Sequence, residues 1–199
     1  ANPHQAVVHP VVRERLARVR LGLRQLVFMM GECQIESAAV DTAWQSACRI
    51  PESRIPIEMG KAGREQPELL AFILGSTEGM GPGVSELAGF IYFVIWRAFR
   101  AEQSGRARPV TAGAIQRALE RNEGELTSLD GTDPQEIDEA AIARLTRQPA
   151  LFRYVIEAIA EAEEDENQPV SMSPEEKGSL ILLLKTAIDA LDEAEERGR

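Results

Sequence analysis

Two short segments of this chain each occur twice, in the same order in both halves. Gln66-Pro67-Glu68-Leu69-Leu70-Ala71-Phe72-Ile73-Leu74 matches Gln148-Pro149-Ala150-Leu151-Phe152-Arg153-Tyr154-Val155-Ile156 at seven of nine positions, conservative changes included. Ile35 to Val40 echoes Ile137 to Ile142. Such self-similarity constrains architecture more than any single residue does, because each copy has the same apolar face to bury. The expectation is an all-α bundle of seven to eight helices, one compact domain over 1–199. Its halves, 10–104 and 110–197, would be related by a pseudo-twofold. Short Ala-rich amphipathic helices also resemble one another by chance, so the echo bears on architecture and not on function.

Helical period runs through nearly the whole chain. Val12, Leu16, Val19, Leu23, Leu26 and Met30 step by four and three along a first helix. A second is expected over about 35–49, a third from Pro67 to 75–78 and a fourth over 84–103. The fourth is apolar almost all round from Phe90 to Trp96, which places it at the centre of a bundle. Ile50 to Glu65, with Pro51, Pro56, Gly60 and Gly63, reads as a loop with at most a short turn. Gly79 to Gly83 is a connector. Thr111 caps a fifth helix that buries Ile115, Leu119, Leu126 and Leu129. Asp133-Pro134-Gln135-Glu136 opens a sixth, ending near Arg147, and Pro149 opens a seventh that gives out in the acids after Glu161. Ser173-Pro174-Glu175-Glu176 is a capping box for an eighth, running to about Glu196. The echoed segments stand 31 residues apart in the first half and 11 in the second. The excess is the Ile50–Glu65 segment, which would make the halves unlike. No stretch alternates convincingly, so no strand is expected.

Composition narrows the setting. Hydrophobic residues are 44% and charged residues 27% of the chain, a globular balance. Cys33 and Cys48 are too few for a disulfide framework and are expected to pack as small hydrophobes. Ala1 to Pro10 lacks the basic start and apolar run of a secretory leader, and Phe90–Trp96 falls far short of the ~20 residues a spanning helix needs. A soluble, cytoplasmic protein without membrane contact is the expectation. Arg outnumbers Lys 19 to 3, the codon signature of a GC-rich bacterial genome. Residues 1–110 carry 13 Lys and Arg against 11 Asp and Glu, a net of +2; residues 111–199 carry 9 against 21, a net of −12. A half that acidic does not grip a nucleic-acid backbone.

Few residues suggest chemistry. His4 and His9, the only histidines, have no Cys or carboxylate nearby at ligand spacing. With no other His, a Ser-His-Asp or Cys-His mechanism lacks its base. Glu157, Glu161 and Glu164 share a helix face at the spacing by which bundles offer carboxylates to Mg²⁺. A solvated helix end explains the acid run from Glu161 to Glu166 more simply. Glu32 and Glu36 form a second, weaker carboxylate pair. Gly75 to Gly83 has neither the Lys-Ser/Thr nor the preceding strand of a phosphate loop. Arg13, Arg15, Arg18, Arg20 and Arg24 make the first helix basic, with no aromatic residue among them to stack on bases. Arg49, Arg54, Lys61 and Arg64 are interleaved with Ile50, Ile55, Ile57 and Met59, a mix suited to a contact surface.

The leading expectation is therefore a non-enzymatic, protein-binding or scaffold-like protein, with no catalytic residue and no cofactor. Arg13, Arg20, Arg24, Arg54, Lys61 and Arg64 are its candidate partner-binding residues. One alternative is a Mg²⁺-dependent enzyme using Glu157, Glu161 and Glu164, or Glu32 and Glu36; the other is a nucleic-acid regulator acting through the first helix. The partner would be a protein, and the chain a monomer or a homodimer.

Overall fold

A computed structural model describes residues 34–81, 83–102, 108–126, 142, 144–164 and 169–196. Every helix below belongs to one compact unit within Ile35–Arg199. Seven α-helices and one 3₁₀ turn are found among the described residues, with no strand. They are α1 (Ser37–Cys48), the 3₁₀ turn (Glu52–Arg54), α2 (Ile55–Glu65), α3 (Pro67–Ser76), α4 (Val84–Glu102), α5 (Ala112–Leu126), α6 (Pro149–Glu164) and α7 (Pro174–Glu196). The expected first helix and the start of the sixth at Asp133 lie outside the described residues. Ile142, Arg144 and Leu145 are helical.

The largest departure from expectation is α2, which occupies the segment read as a loop. Its prolines act as starters instead of breakers. Pro51 precedes the 3₁₀ turn, and Pro56 sits in the first turn of α2, where a missing N–H leaves no helical bond unmade. Gly63 lies within α2 because α3 crosses close by: a Cβ there would stand 3.0 Å from Leu70 Cδ2. A single residue, Gln66, joins α2 to α3.

Other boundaries follow their caps. Thr111 Oγ1 accepts from the Ala114 N–H (3.3 Å) at the start of α5. Ser173 and Glu176 form the reciprocal capping box, Ser173 N–H donating to Glu176 Oε2 (2.8 Å) and Glu176 N–H to Ser173 Oγ (3.2 Å). The other oxygen, Oε1, accepts from Gly81 N–H (2.6 Å) and so ties the α3–α4 connector to the start of α7. That connector turns through Gly79 and Gly83, at φ +90° and +85°, a region only glycine enters freely.

The core is built around α4 and α7. In α4, Val84, Ala88 and Gly89 are buried, as are all six residues from Ile91 to Trp96, then Ala98 and Phe99. In α7, Leu180, Ile181, Leu183 and Leu184 are joined in the core by Ala187, Ile188 and Leu191. The two helices pack on each other. The most extensive pairings are α1 on α4 and α5 on α7, followed by α3 on α4 and α6 on α7. Four further contacts cross between these groups: α1 with α6, α4 with α6, α3 with α7 and α3 with α5.

Candidate functional site

The described surface with most unspent chemistry lies on α2 and the neighbouring end of α4. Ile55 and Ile57, at the start of α2, are 46% and 56% exposed. Arg54 and Lys61 converge on one carboxylate, Glu58, at 3.7 and 2.7 Å. The Lys61 hydrogen bond, more than any other influence, holds the Glu58 carboxyl below its ordinary range; Arg54 and Arg97 add to the effect. The helix that carries Arg97, α4, packs against α2. Arg64 is exposed on the same helix. Glu65, at the end of α2, accepts from Trp96 Nε1 (3.2 Å) and pairs with Arg100 (3.2 Å). Three cations, Arg54, Lys61 and Arg100, thus pair with two carboxylates, Glu58 and Glu65, on a chain of net charge −10.

A groove of about 540 Å³ continues this surface between α1 and α4. Ala39, Thr42, Ala43 and Ser46 form one wall; Trp96, Arg97, Arg100, Ala101 and Glu102 form the other. Arg97 spans it, donating to Ser46 Oγ from Nε (3.2 Å) and Nη2 (2.9 Å) while lying over the Phe93 ring. Arg100 lies over the Trp96 indole. Stacking fixes the plane of both guanidiniums while their edges donate, Arg97 to Ser46 and Arg100 to Glu65. No described carboxylate forms a salt bridge with Arg97.

A second polar cluster lies between α5 and α7. Lys185 is 1% exposed, and its three donors are all engaged: Asn122 Oδ1 at 2.6 Å, Asp189 Oδ2 at 2.8 Å and Glu125 Oε2 at 3.0 Å. Thr146 Oγ1 donates to Asp189 Oδ1 (3.3 Å) and accepts from Gln148 N–H (3.1 Å). Gln148 Nε2 donates to Asp192 Oδ1 (2.6 Å), and Arg147 pairs with Asp192 and Glu196. Burial outweighs these partners and holds the Asp192 carboxyl above its ordinary range. A cavity of about 360 Å³ adjoins the cluster, bordered by Arg121, Arg144, Thr146 and Glu193. Arg121 bridges to Glu193 at 2.7 Å. Each buried charge here has its counter-charge, as a satisfied interior network requires.

The residues singled out by sequence fare differently. Arg54, Lys61 and Arg64 fall together on α2. Arg13, Arg20 and Arg24 lie outside the described residues, as do Glu32 and Cys33. Glu157, Glu161 and Glu164 share one face of α6, but that face is exposed. Among the described residues, no group of three His, Cys, Asp or Glu is placed to hold a metal. Cys48 is exposed at the end of α1, against the expectation that it packs. No described helix is long and apolar enough to cross a membrane.

Lys185, Asn122 and Arg97 had no expected role, and Trp96 was expected only as part of the apolar run of the central helix. The available signal for Lys185 was its position: it follows Leu180–Leu184 and stands four before Asp189 and seven before Asp192, one stripe of a helix. No family model matches the chain, and neither a curated protein nor a solved structure matches it.

Proposed function

We propose that this chain is a non-enzymatic protein-binding protein whose contact face is α2 together with the α1–α4 groove. One observation carries the reading: Ile55 and Ile57 are exposed among Arg54, Lys61 and Arg64 on a helix of their own. Scattered exposed apolar residues are ordinary, but an apolar pair rimmed by cations and continuous with a groove is the composition of a docking surface. A photo-cross-linker at position 57, used in an extract of the source cells, is expected to give a discrete adduct that is lost in Ile55→Asp. The same cross-linker at Gln116, exposed on α5, is expected to give none. Equal labelling from both positions would overturn the reading.

We also propose that the bundle is a duplicated four-helix unit. Its support is a set of matched contacts. Gln66, before α3, accepts from Val110 N–H (2.8 Å), two residues ahead of α5; Gln148, before α6, accepts from Ile35 N–H (2.9 Å), two residues ahead of α1. Glu65 reaches Trp96 and Arg100 on α4, and Arg147 reaches Asp192 and Glu196 on α7, both pairs being one turn apart. In this register α1 corresponds to α5, and the partner of Ile35 is Val110 instead of Ile137. The Ile50–Glu65 segment then has a counterpart in the residues between α5 and α6, and is no insertion.

A further inference from the structure

We propose that the recess between α5 and α7 binds a small zwitterion of the α-amino acid class. Its volume, about 360 Å³, lies at the lower end of the range in which proteins hold small molecules. Three guanidiniums, of Arg121, Arg144 and Arg147, line it together with four carboxylates. A simple anion there would face the carboxylates, and a simple cation the guanidiniums. A ligand that carries both charges meets an opposite charge at each end. Arg144 takes no part in the network around Lys185, and its fork suits a carboxylate. Of the four acids, Glu125 and Glu193 are the most open, their side chains 39% and 23% exposed against 12% for Asp189 and 8% for Asp192. A carboxylate has about four lone-pair sites. Both glutamates can therefore accept from an ammonium while keeping their bonds to Lys185 and Arg121.

The fold does not require charges at this place. The matched contacts pair Ile35 with Val110 and Trp96 with Asp192. In that register Ala47 and Ile50 stand where Asn122 and Glu125 do, and Gly89 and Phe93 where Lys185 and Asp189 do. Ala47, Gly89 and Phe93 are buried, and Ile50 packs against the core. The bridge across the recess recurs at the same positions: Arg97 donates to Ser46 in one half, and Arg121 to Glu193 in the other. Each half thus has a recess between its first and last helices, but the linings differ. Three of nine lining residues are charged between α1 and α4, and seven of nine between α5 and α7. The correspondence follows from the duplicated unit proposed above, whereas the recess and its lining do not depend on it. A buried ion network adds no more stability than a well-packed apolar layer. Lys185, 1% exposed, therefore answers a demand other than folding. It fixes Glu125 and Asp189 in place, the preorganisation that a polar binding site needs.

The test is a titration of the ¹⁵N-labelled full chain with each standard L-α-amino acid, followed by amide NMR. At least one is expected to cause saturable shifts clustered at residues 121–125, 144–147 and 185–193, with a Kd of about 1 mM or below. Its carboxamide keeps only the ammonium, and its N-acetyl derivative only the carboxylate. Each is expected to bind about tenfold more weakly or worse. Arg144→Gln should weaken the parent amino acid by about as much. Arg117→Gln, at an exposed position of α5 outside the recess, should leave its Kd unchanged. Both arginines are exposed, and wild-type amide dispersion will report an intact fold. Saturation by no amino acid, shifts that cluster elsewhere, or equal loss in the two variants would each overturn the inference. So would a carboxamide, acetate or methylammonium that binds as tightly as the parent. The site shares no residue with the α2 face, so a failed titration leaves the protein-binding reading standing.

Discussion

Individual residues in this core are held by opposing terms that single substitutions can separate. Tyr92 is wholly buried, and its hydroxyl has no hydrogen-bond partner among the described residues. Burial is the larger reason, and Glu65 the smaller, that its ionisation is pushed well above the ordinary tyrosine range. An unsatisfied buried hydroxyl costs on the order of 1–3 kcal/mol. Tyr92→Phe should therefore leave the urea midpoint unchanged or raise it; a fall would mean that the hydroxyl is partnered. Two carboxylates should titrate to opposite sides of the usual range. Asp192 is raised, chiefly by burial, and Glu176 is lowered, chiefly by the Ser173 backbone N–H and then that of Gly81. A carboxyl with a raised folded pKa binds its proton more tightly when folded. Its protonation thus adds stability as pH falls through that pKa, and the gain is lost as pH rises. Glu176 has the opposite sign: its contribution is present above the unfolded value and lost as pH falls through the lowered folded one. Carbon-detected NMR titration should place the Asp192 midpoint above the ordinary aspartate value and the Glu176 midpoint below the ordinary glutamate value. A displacement in the opposite direction would contradict the assignment concerned.

At the scale of elements, caps and periods were legible in the sequence, whereas anything resting on a neighbouring helix was not. Ser173-Pro174-Glu175-Glu176 fixed the start of α7 because both partners of a capping box lie within one turn. The all-apolar run of α4 identified a central helix for a similarly local reason. The α2 segment was misread because Pro51, Pro56, Gly60 and Gly63 break helices on average, yet here each position is compatible with one. What makes Gly63 fit is Leu70 of α3, a residue seven positions away that only the folded chain brings near. The same reasoning predicts where glycine is dispensable. Gly124 lies inside α5, and a Cβ there would meet nothing within 4 Å. Gly124→Ala should stabilise the protein by roughly 0.5–1 kcal/mol, since alanine loses less backbone entropy on entering a helix. A urea midpoint below wild type would show that the space around Gly124 is occupied.

The candidate contact face was half legible in the sequence. Arg54, Lys61 and Arg64 stood out by local composition, but the α1–α4 groove needs Ser46 and Arg97 to meet across 51 positions of chain. For the molecule as a whole, the same long-range logic makes the glutamines of the Gln-Pro echo its cross-ties. Gln66 is fully buried, and holds Arg108 O (2.9 Å) and Val110 N–H (2.8 Å) at the threshold of α5. Gln148 holds Ile35 N–H at the threshold of α1 and also Asp192 of α7. Each glutamine thus joins segments far apart in sequence, and neither α1–α4 nor α5–α7 should unfold alone. Both tryptophans, Trp44 and Trp96, lie on α1 and α4. Their fluorescence therefore reports one part of the bundle, while far-UV circular dichroism reports every helix. The two signals should give one coincident urea transition, as a two-state domain requires. Gln66→Leu should lower its midpoint by the equivalent of about 1–3 kcal/mol, the cost of leaving buried backbone groups unsatisfied. Gln148→Leu should lower it further, because the Asp192 carboxylate loses a donor as well. If fluorescence and dichroism separate in the wild type, the ties do not couple the two parts. If they separate only in Gln66→Leu, that one side chain carries the coupling.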